Sequence, residues 1–181
     1  TEMGLAHNAI KTVMADDEGT IWMGPHSRYL YALRNSSIEE FEITNTGELE
    51  VIGITKDLKG DIWLATAESG IYKKIGKSFV NFSTDDGLKS NFCYALHTDS
   101  RGFMWVGHRG GLTKLSSNAE EVETFDHESG INSQINLNAM FLDEQSNLWI
   151  GSDNGGIKYD PSKDKKNRIA PVVNLLKVII N

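Results

Sequence analysis

The chain lacks most of the devices that staple, anchor or charge a protein toward an obvious partner. It has one cysteine, Cys93, so no intrachain disulfide can form; that leaves the compartment open. No apolar run reaches the roughly 18–20 residues a membrane helix needs, and no stretch is built like a signal peptide. Positive charge is scarce: 18 Lys and Arg stand against 25 Asp and Glu, for a net charge of −7. That balance argues against nucleic acid as a partner of this segment. The densest basic cluster, residues 163–168, lies in a linker-like stretch and reads as solvated rather than as a membrane patch. The five histidines, His7, His26, His97, His108 and His127, lack the close spacing of zinc ligands. Asp16, Asp17, Glu18 and Gly19 lack the rest of a calcium loop. Gly107, Gly110 and Gly111 precede neither a helix nor the Lys-Ser/Thr pair of a phosphate loop. No metal or cofactor is expected.

What the chain does have is a period. Trp22, Trp63, Trp105 and Trp149 are separated by 41, 42 and 44 residues. Each follows an aspartate by six positions (Asp16, Asp57, Asp99, Asp143) and precedes a small residue by two (Gly24, Ala65, Gly107, Gly151). A repeat of about 40–45 residues built of short strands is the size of one four-stranded propeller blade. The expected fold is therefore all-β: propeller blades of four antiparallel strands, with four repeats over residues 1–160. Four repeats are expected to form part of a propeller rather than a closed ring.

The third repeat shows the template. Residues 91–98 suit a strand, 99–102 a tight turn, 103–108 a second strand, 112–115 a third and 122–125 a fourth. Asp at the first turn position can accept backbone N–H bonds, and Gly at the fourth tolerates positive φ. Counting back from each turn aspartate aligns Ile10, Val51, Cys93 and Leu137 at six before, and the small Thr12, Gly53, Ala95 and Ala139 at four before. Aromatics recur on the fourth strand at Phe41, Phe82 and Phe125. The tryptophans read as buried between blades, each indole N–H needing a partner. The fourth turn has Ser146 in place of Gly, followed by Asn147, which suggests a turn shifted by one residue. The fourth repeat has no Phe-bearing outer strand. Exposed blade faces and strand edges then predict self-association, as a homodimer or otherwise, or completion by further sequence. The chain opens at Thr1, mid-phrase, and reads as a piece of something longer. Residues 161–181 read as a linker and the first strand of a truncated β domain.

These phrases resemble the two-component regulator propeller repeat. The likeness is carried by Gly87, Leu88 and Asn91, by the Asp-x-x-Gly-x-apolar-Trp-apolar-Gly run, and by Ser69-Gly70-Ile71, Gly110-Gly111-Leu112 and Gly155-Gly156-Ile157. The first repeat departs, with Ser27, Arg28, Tyr29 and Leu30. The resemblance implies the periplasmic, ligand-sensing region of a membrane-bound, often hybrid, histidine kinase, with the membrane reached only through the parent protein. Many such kinases control polysaccharide use, so an oligosaccharide is the implied ligand. The tail resembles the opening of the immunoglobulin-like domain that follows such propellers.

Two loop types gather on one rim of a propeller: those leading into each blade and those between strands two and three. The latter vary on a constant frame, and ligands bind where loops converge on a rigid scaffold. They hold His26, Ser27 and Arg28, Glu68, His108 and Arg109, and Asp153 and Asn154. These are candidate ligand contacts; the competing reading is ordinary polar loop chemistry. Asn91 reads as a turn former, Cys93 as a buried small hydrophobe, and the turn aspartates as structural. A plain protein-interaction scaffold is an alternative function. A propeller lyase or glycosidase using Glu68 and Asp153 as acid and base is another. No catalytic residue is assigned.

Overall fold

The computed structural model describes residues 9–131 and 133–163. Their strands run in chain order as antiparallel meanders. Blade one has β1 (Ile10–Ala15), β2 (Ile21–Ser27), β3 (Tyr29–Arg34) and β4 (Ser37–Glu42). Blade two has β5 (Leu49–Lys56), β6 (Ile62–Thr66), β7 (Ile71–Ile75) and β8 (Ser78–Phe82). Blade three has β9 (Ala95–Thr98), β10 (Met104–His108), β11 (Gly111–Leu115) and β12 (Val122–Phe125). Blade four has β13 (Ile135–Leu142), β14 (Leu148–Ser152) and β15 (Gly155–Tyr159), and no fourth strand among the described residues. The architecture is that of a partial β-propeller. The tail expected to begin a new β domain lies outside the described residues.

Blades stack in one sense. The Trp-bearing face of each of the first three blades packs on the opposite face of the next; Trp149 of blade four, expected to be buried like the others, is 44% exposed. Trp22, Leu30 and Phe41 meet Val51, Leu64 and Tyr72. Trp63 and Ile71 meet Cys93, Leu96, Met104 and Val106. Trp105 and Leu112 meet Ile135, Leu148 and Ile150. The first strand makes this possible through a bulge. Its register shifts between Ile10 and Thr12 and again between Val51 and Gly53. A bulge re-aims a side chain; here the residue six before the turn joins the one three before it in facing the preceding blade. The small positions then receive them. A Cβ built on Gly24 falls 2.7 Å from Val51 Cγ1, and one on Gly107 falls 2.5 Å from Ile135 Cγ2. Close approach, rather than backbone freedom, demands glycine at these two sites.

Four further sequence expectations need correction. In blade four the buried position is Ile135, not Leu137. Ile135 is fully buried and Leu137 is 63% exposed. The bulge there is longer, with Asn138 at φ 52, so counting back from Asp143 lands on the wrong residue. The fourth turn does not shift: Ser146 itself takes φ 65, and Asn147 instead donates its amide to the Asp143 carboxylate at 3.1 and 3.0 Å. Strand β9 is shorter than residues 91–98, because Cys93 directs its N–H to Thr66 O of blade two. His26 and Ser27 lie in β2 rather than in a loop, since β2 runs on to pair with Glu50 and Leu49 of β5.

Candidate functional site

The meander places two kinds of connection on opposite rims. One rim carries the aspartate turns, and it is nearly invariant. In every blade the aspartate Oδ1 accepts two backbone N–H bonds, from the residues two and four positions on. Its Oδ2 accepts the indole N–H six positions on. Those indole bonds measure 2.9 Å for Asp16–Trp22, 3.1 Å for Asp57–Trp63, 3.0 Å for Asp99–Trp105 and 2.8 Å for Asp143–Trp149. The indole's partner was not foreseen from sequence, although the constant Asp-to-Trp spacing was its signal. Fourth-strand phenylalanines complete the unit: Phe41, Phe82 and Phe125 lie 5.7, 5.5 and 5.4 Å from Trp22, Trp63 and Trp105, centroid to centroid.

Charge is built into this clasp. Lys73 lies opposite Trp63 on the neighbouring strand, 5.1 Å from its ring, and pairs with Asp57 at 3.1 Å and Asp61 at 3.0 Å. Burial works against ionisation of Asp57. Bonds from Trp63, Lys73 and two backbone amides outweigh it and hold the carboxyl below its ordinary range. The indole bond of Trp149, against some desolvation and helped by Asn147 and two amides, lowers Asp143 to about 2. In blade one the lysine position is Ala32, and Lys74 of blade two fills in, 5.5 Å over Trp22 and 4.0 Å over Phe41. A groove of about 580 Å³ remains beside it, lined by Trp22, Ala32, Arg34, Glu39 and Lys74 among others.

The opposite rim carries the candidate ligand residues, and they differ in standing. His26, Arg28, Glu68, Arg109, Asp153 and Asn154 are exposed. Arg28 donates to the Tyr29 hydroxyl at 2.9 Å and pairs with Glu42 at 3.6 Å. Asp153 is pinned to blade four's lead-in: its Oδ1 accepts from Gln134 N, and its own N–H donates to Gln134 O, both at 3.0 Å. No hydrogen bond or ion pair joins any two of these residues. His108 departs from expectation. It is fully buried in β10 and presents no surface. Its Nδ1 meets Phe92 O at 3.0 Å and its Nε2 meets Thr113 Oγ1 at 3.0 Å. Burial lowers its pKa to about 4, helped by the nearby Lys89 charge and opposed by the Phe92 bond. It is a neutral strut.

That strut reveals a residue the sequence reading passed over. Phe92 is 48% exposed, yet the backbone around it is held at every step. Phe92 N donates to Ser90 Oγ at 3.1 Å. Asn91 accepts from Gly70 N through its carbonyl and from Thr84 N through its side chain, both at 2.9 Å, so it ties the lead-in of blade three to blade two. Cys93, buried, with its thiol pushed up to about 12 by desolvation, is inert packing. An aromatic ring thus projects from a fixed backbone on the variable rim.

Residues 87–110 match the family model of the two component regulator propeller. The resemblance carried by the repeated phrases is thereby shown, on the repeat that holds Phe92, Trp105 and His108. Histidine kinase P4 of Formosa agariphila is 23% identical over 94% of this chain, which spans 13% of that relative. The extracellular domain of BT4673 from B. thetaiotaomicron, described as a hybrid two component system, superposes with a TM-score of 0.69 at 20% identity. The match covers 86% of this chain and 22% of that one. Virginiamycin B lyase from Staphylococcus aureus superposes with a TM-score of 0.65 at 15% identity, over 86% of this chain and 57% of the lyase. At such identities these solved structures establish the propeller fold alone. No helix among the described residues is long and apolar enough to cross a membrane.

Proposed function

We propose that this regulator-propeller segment is a non-catalytic, ligand-sensing module of a membrane-bound sensor histidine kinase. It stands outside the cytoplasm, in the periplasm, and takes an oligosaccharide on its variable rim. The observation that carries the reading is the contrast between rims. One is the same Asp–Trp clasp four times over; the other presents different exposed polar groups from each blade, together with the exposed side chain of Phe92. An exposed aromatic ring among polar loop groups is the chemistry a small polar ligand uses. Kinship with a histidine kinase and with extracellular domains of two-component systems supports the sensing role. Signalling follows if the ligand binds two arrangements of the parent protein with different affinity. Titration calorimetry with a panel of neutral and acidic oligosaccharides tests this. Binding that Phe92→Ala weakens at least about tenfold, roughly 1.4 kcal/mol, supports it. Absence of heat with every glycan, in the full-length sensor as well, contradicts the carbohydrate assignment.

A lyase reading draws on the structural likeness to virginiamycin B lyase. Its acid and base would be Glu68 and Asp153, and Asp153 is already committed to the Gln134 amide. A protein-interaction scaffold remains the other alternative; it predicts that a polypeptide, not a glycan, titrates against the Phe92 rim.

A further inference from the structure

The turn joining β14 to β15, on the variable rim, brings an electrophile and a nucleophile together. Asn154 is the one asparagine in the chain that a glycine follows, and Asn154, Gly155 and Gly156 are all exposed. The groups around them are committed. Ser152 Oγ donates to Gly155 O at 2.8 Å and accepts from Asn154 N at 3.4 Å, and Asp153 is bonded to Gln134 N. Among the described residues nothing hydrogen-bonds to the Asn154 carboxamide, which stays available to react. Gly155 sits at φ 124, and a Cβ built on it meets nothing within 4 Å. Its amide nitrogen therefore has no side chain of its own to hinder approach, and open space beside it. The chain's one Asp-Gly step, Asp86-Gly87, is the opposite case. Asp86 Oδ2 accepts from Ser83 N at 2.8 Å within a capping box, and a Cβ on Gly87 falls 3.2 Å from Val122 Cγ1.

We propose that Asn154-Gly155 is a self-modification site on this rim, where the side-chain amide becomes a carboxylate without an enzyme. Hydroxide removes the Gly155 amide proton, and the nitrogen attacks the side-chain carbonyl carbon of Asn154. The side-chain nitrogen leaves as ammonia, taking a proton from water, and a five-membered cyclic imide remains. One water then adds to either carbonyl of the imide. One opening leaves aspartate at position 154; the other leaves isoaspartate, in which the main chain runs through the former side chain. Both products place a second negative charge next to Asp153 and make the chain one charge more negative than its −7. The isoaspartate also adds one carbon to the main chain within the turn that aligns β14 with β15. The reaction does not depend on what the rim binds.

Mass spectrometry reads the outcome, peptide by peptide, on the folded chain held at mildly alkaline pH and then digested. The peptide spanning Asn154 is expected to gain about one dalton, at least tenfold faster than the peptides carrying the exposed Asn35 and Asn45, which serine and threonine follow. Electron-transfer fragmentation is expected to find both aspartate and isoaspartate at position 154. Asn154→Gln alters an exposed side chain, so it is expected to keep the wild-type circular dichroism and to slow the gain in that peptide more than tenfold. A mass gain at Asn154 no faster than at Asn35 overturns the proposal, as does a gain that begins only once denaturant unfolds the chain. So does a gain that Asn154→Gln leaves unchanged.

Discussion

Each turn aspartate holds three hydrogens at once: two backbone amides that shape the turn and one indole that fixes the strand after it. Hydrogen bonds to a charged acceptor are the stronger kind, about 1.5–3 kcal/mol each, and at Asp57 the site is buried with Lys73. Asp57→Ala is expected to destabilise the fold by about 3–5 kcal/mol in denaturant titration, since it leaves the buried indole and two turn amides without an acceptor and takes from Lys73 one of its two carboxylate partners. Trp63→Ala is expected to cost a similar ~3–5 kcal/mol, and Trp149→Ala much less while its face is open. The pH response follows from the lowered carboxyls. Asp16, Asp57 and Asp143 all sit below their ordinary values when folded. Their bonds therefore stabilise fully above about pH 4 and lose that contribution as the pH falls, through about 2 for Asp143. Tryptophan fluorescence is expected to report acid unfolding in that window, and Asp143→Asn to flatten its lowest-pH part.

Glycines separate contact from conformation among the strands. A Cβ on Gly107 meets the Ile135 side chain of the next blade, whereas one on Gly156 meets nothing within 4 Å. Overpacking typically costs about 1–3 kcal/mol; Gly107→Ala is expected to lower thermal stability accordingly, and Gly156→Ala to leave it unchanged. The strand pattern was legible in sequence because turn, Trp and small residue recur at fixed spacing. The Phe41, Phe82 and Phe125 positions were legible for the same reason. What was hidden lay where spacing changes without a compositional mark. The longer bulge at Asn138 moved Ile135 into the core, and the extension of β2 drew His26 into a ladder. His108 was hidden for another reason: it looks like a loop histidine, but its two ring nitrogens are spent holding Phe92 O and Thr113.

At the scale of the molecule, the stack assigns stability to one rim and leaves the other free to vary. The loops between second and third strands were legible as the variable part of the repeat, since they differ between copies. Where their side chains stand relative to one another was not, because that depends on the curvature of the whole stack and on loop anchors such as Asn91 and Gln134. The account depends most on the equivalence of the four clasps. Proton–nitrogen correlation spectra of protein labelled at tryptophan resolve one indole N–H per ring. Asp16→Asn and Asp143→Asn replace a charged acceptor with a neutral one. Each is predicted to shift a single indole resonance upfield, that of Trp22 and of Trp149 respectively, and to speed its exchange with water. Either substitution leaving its own indole unmoved, or moving the others equally, would contradict the clasp and the repeat built upon it.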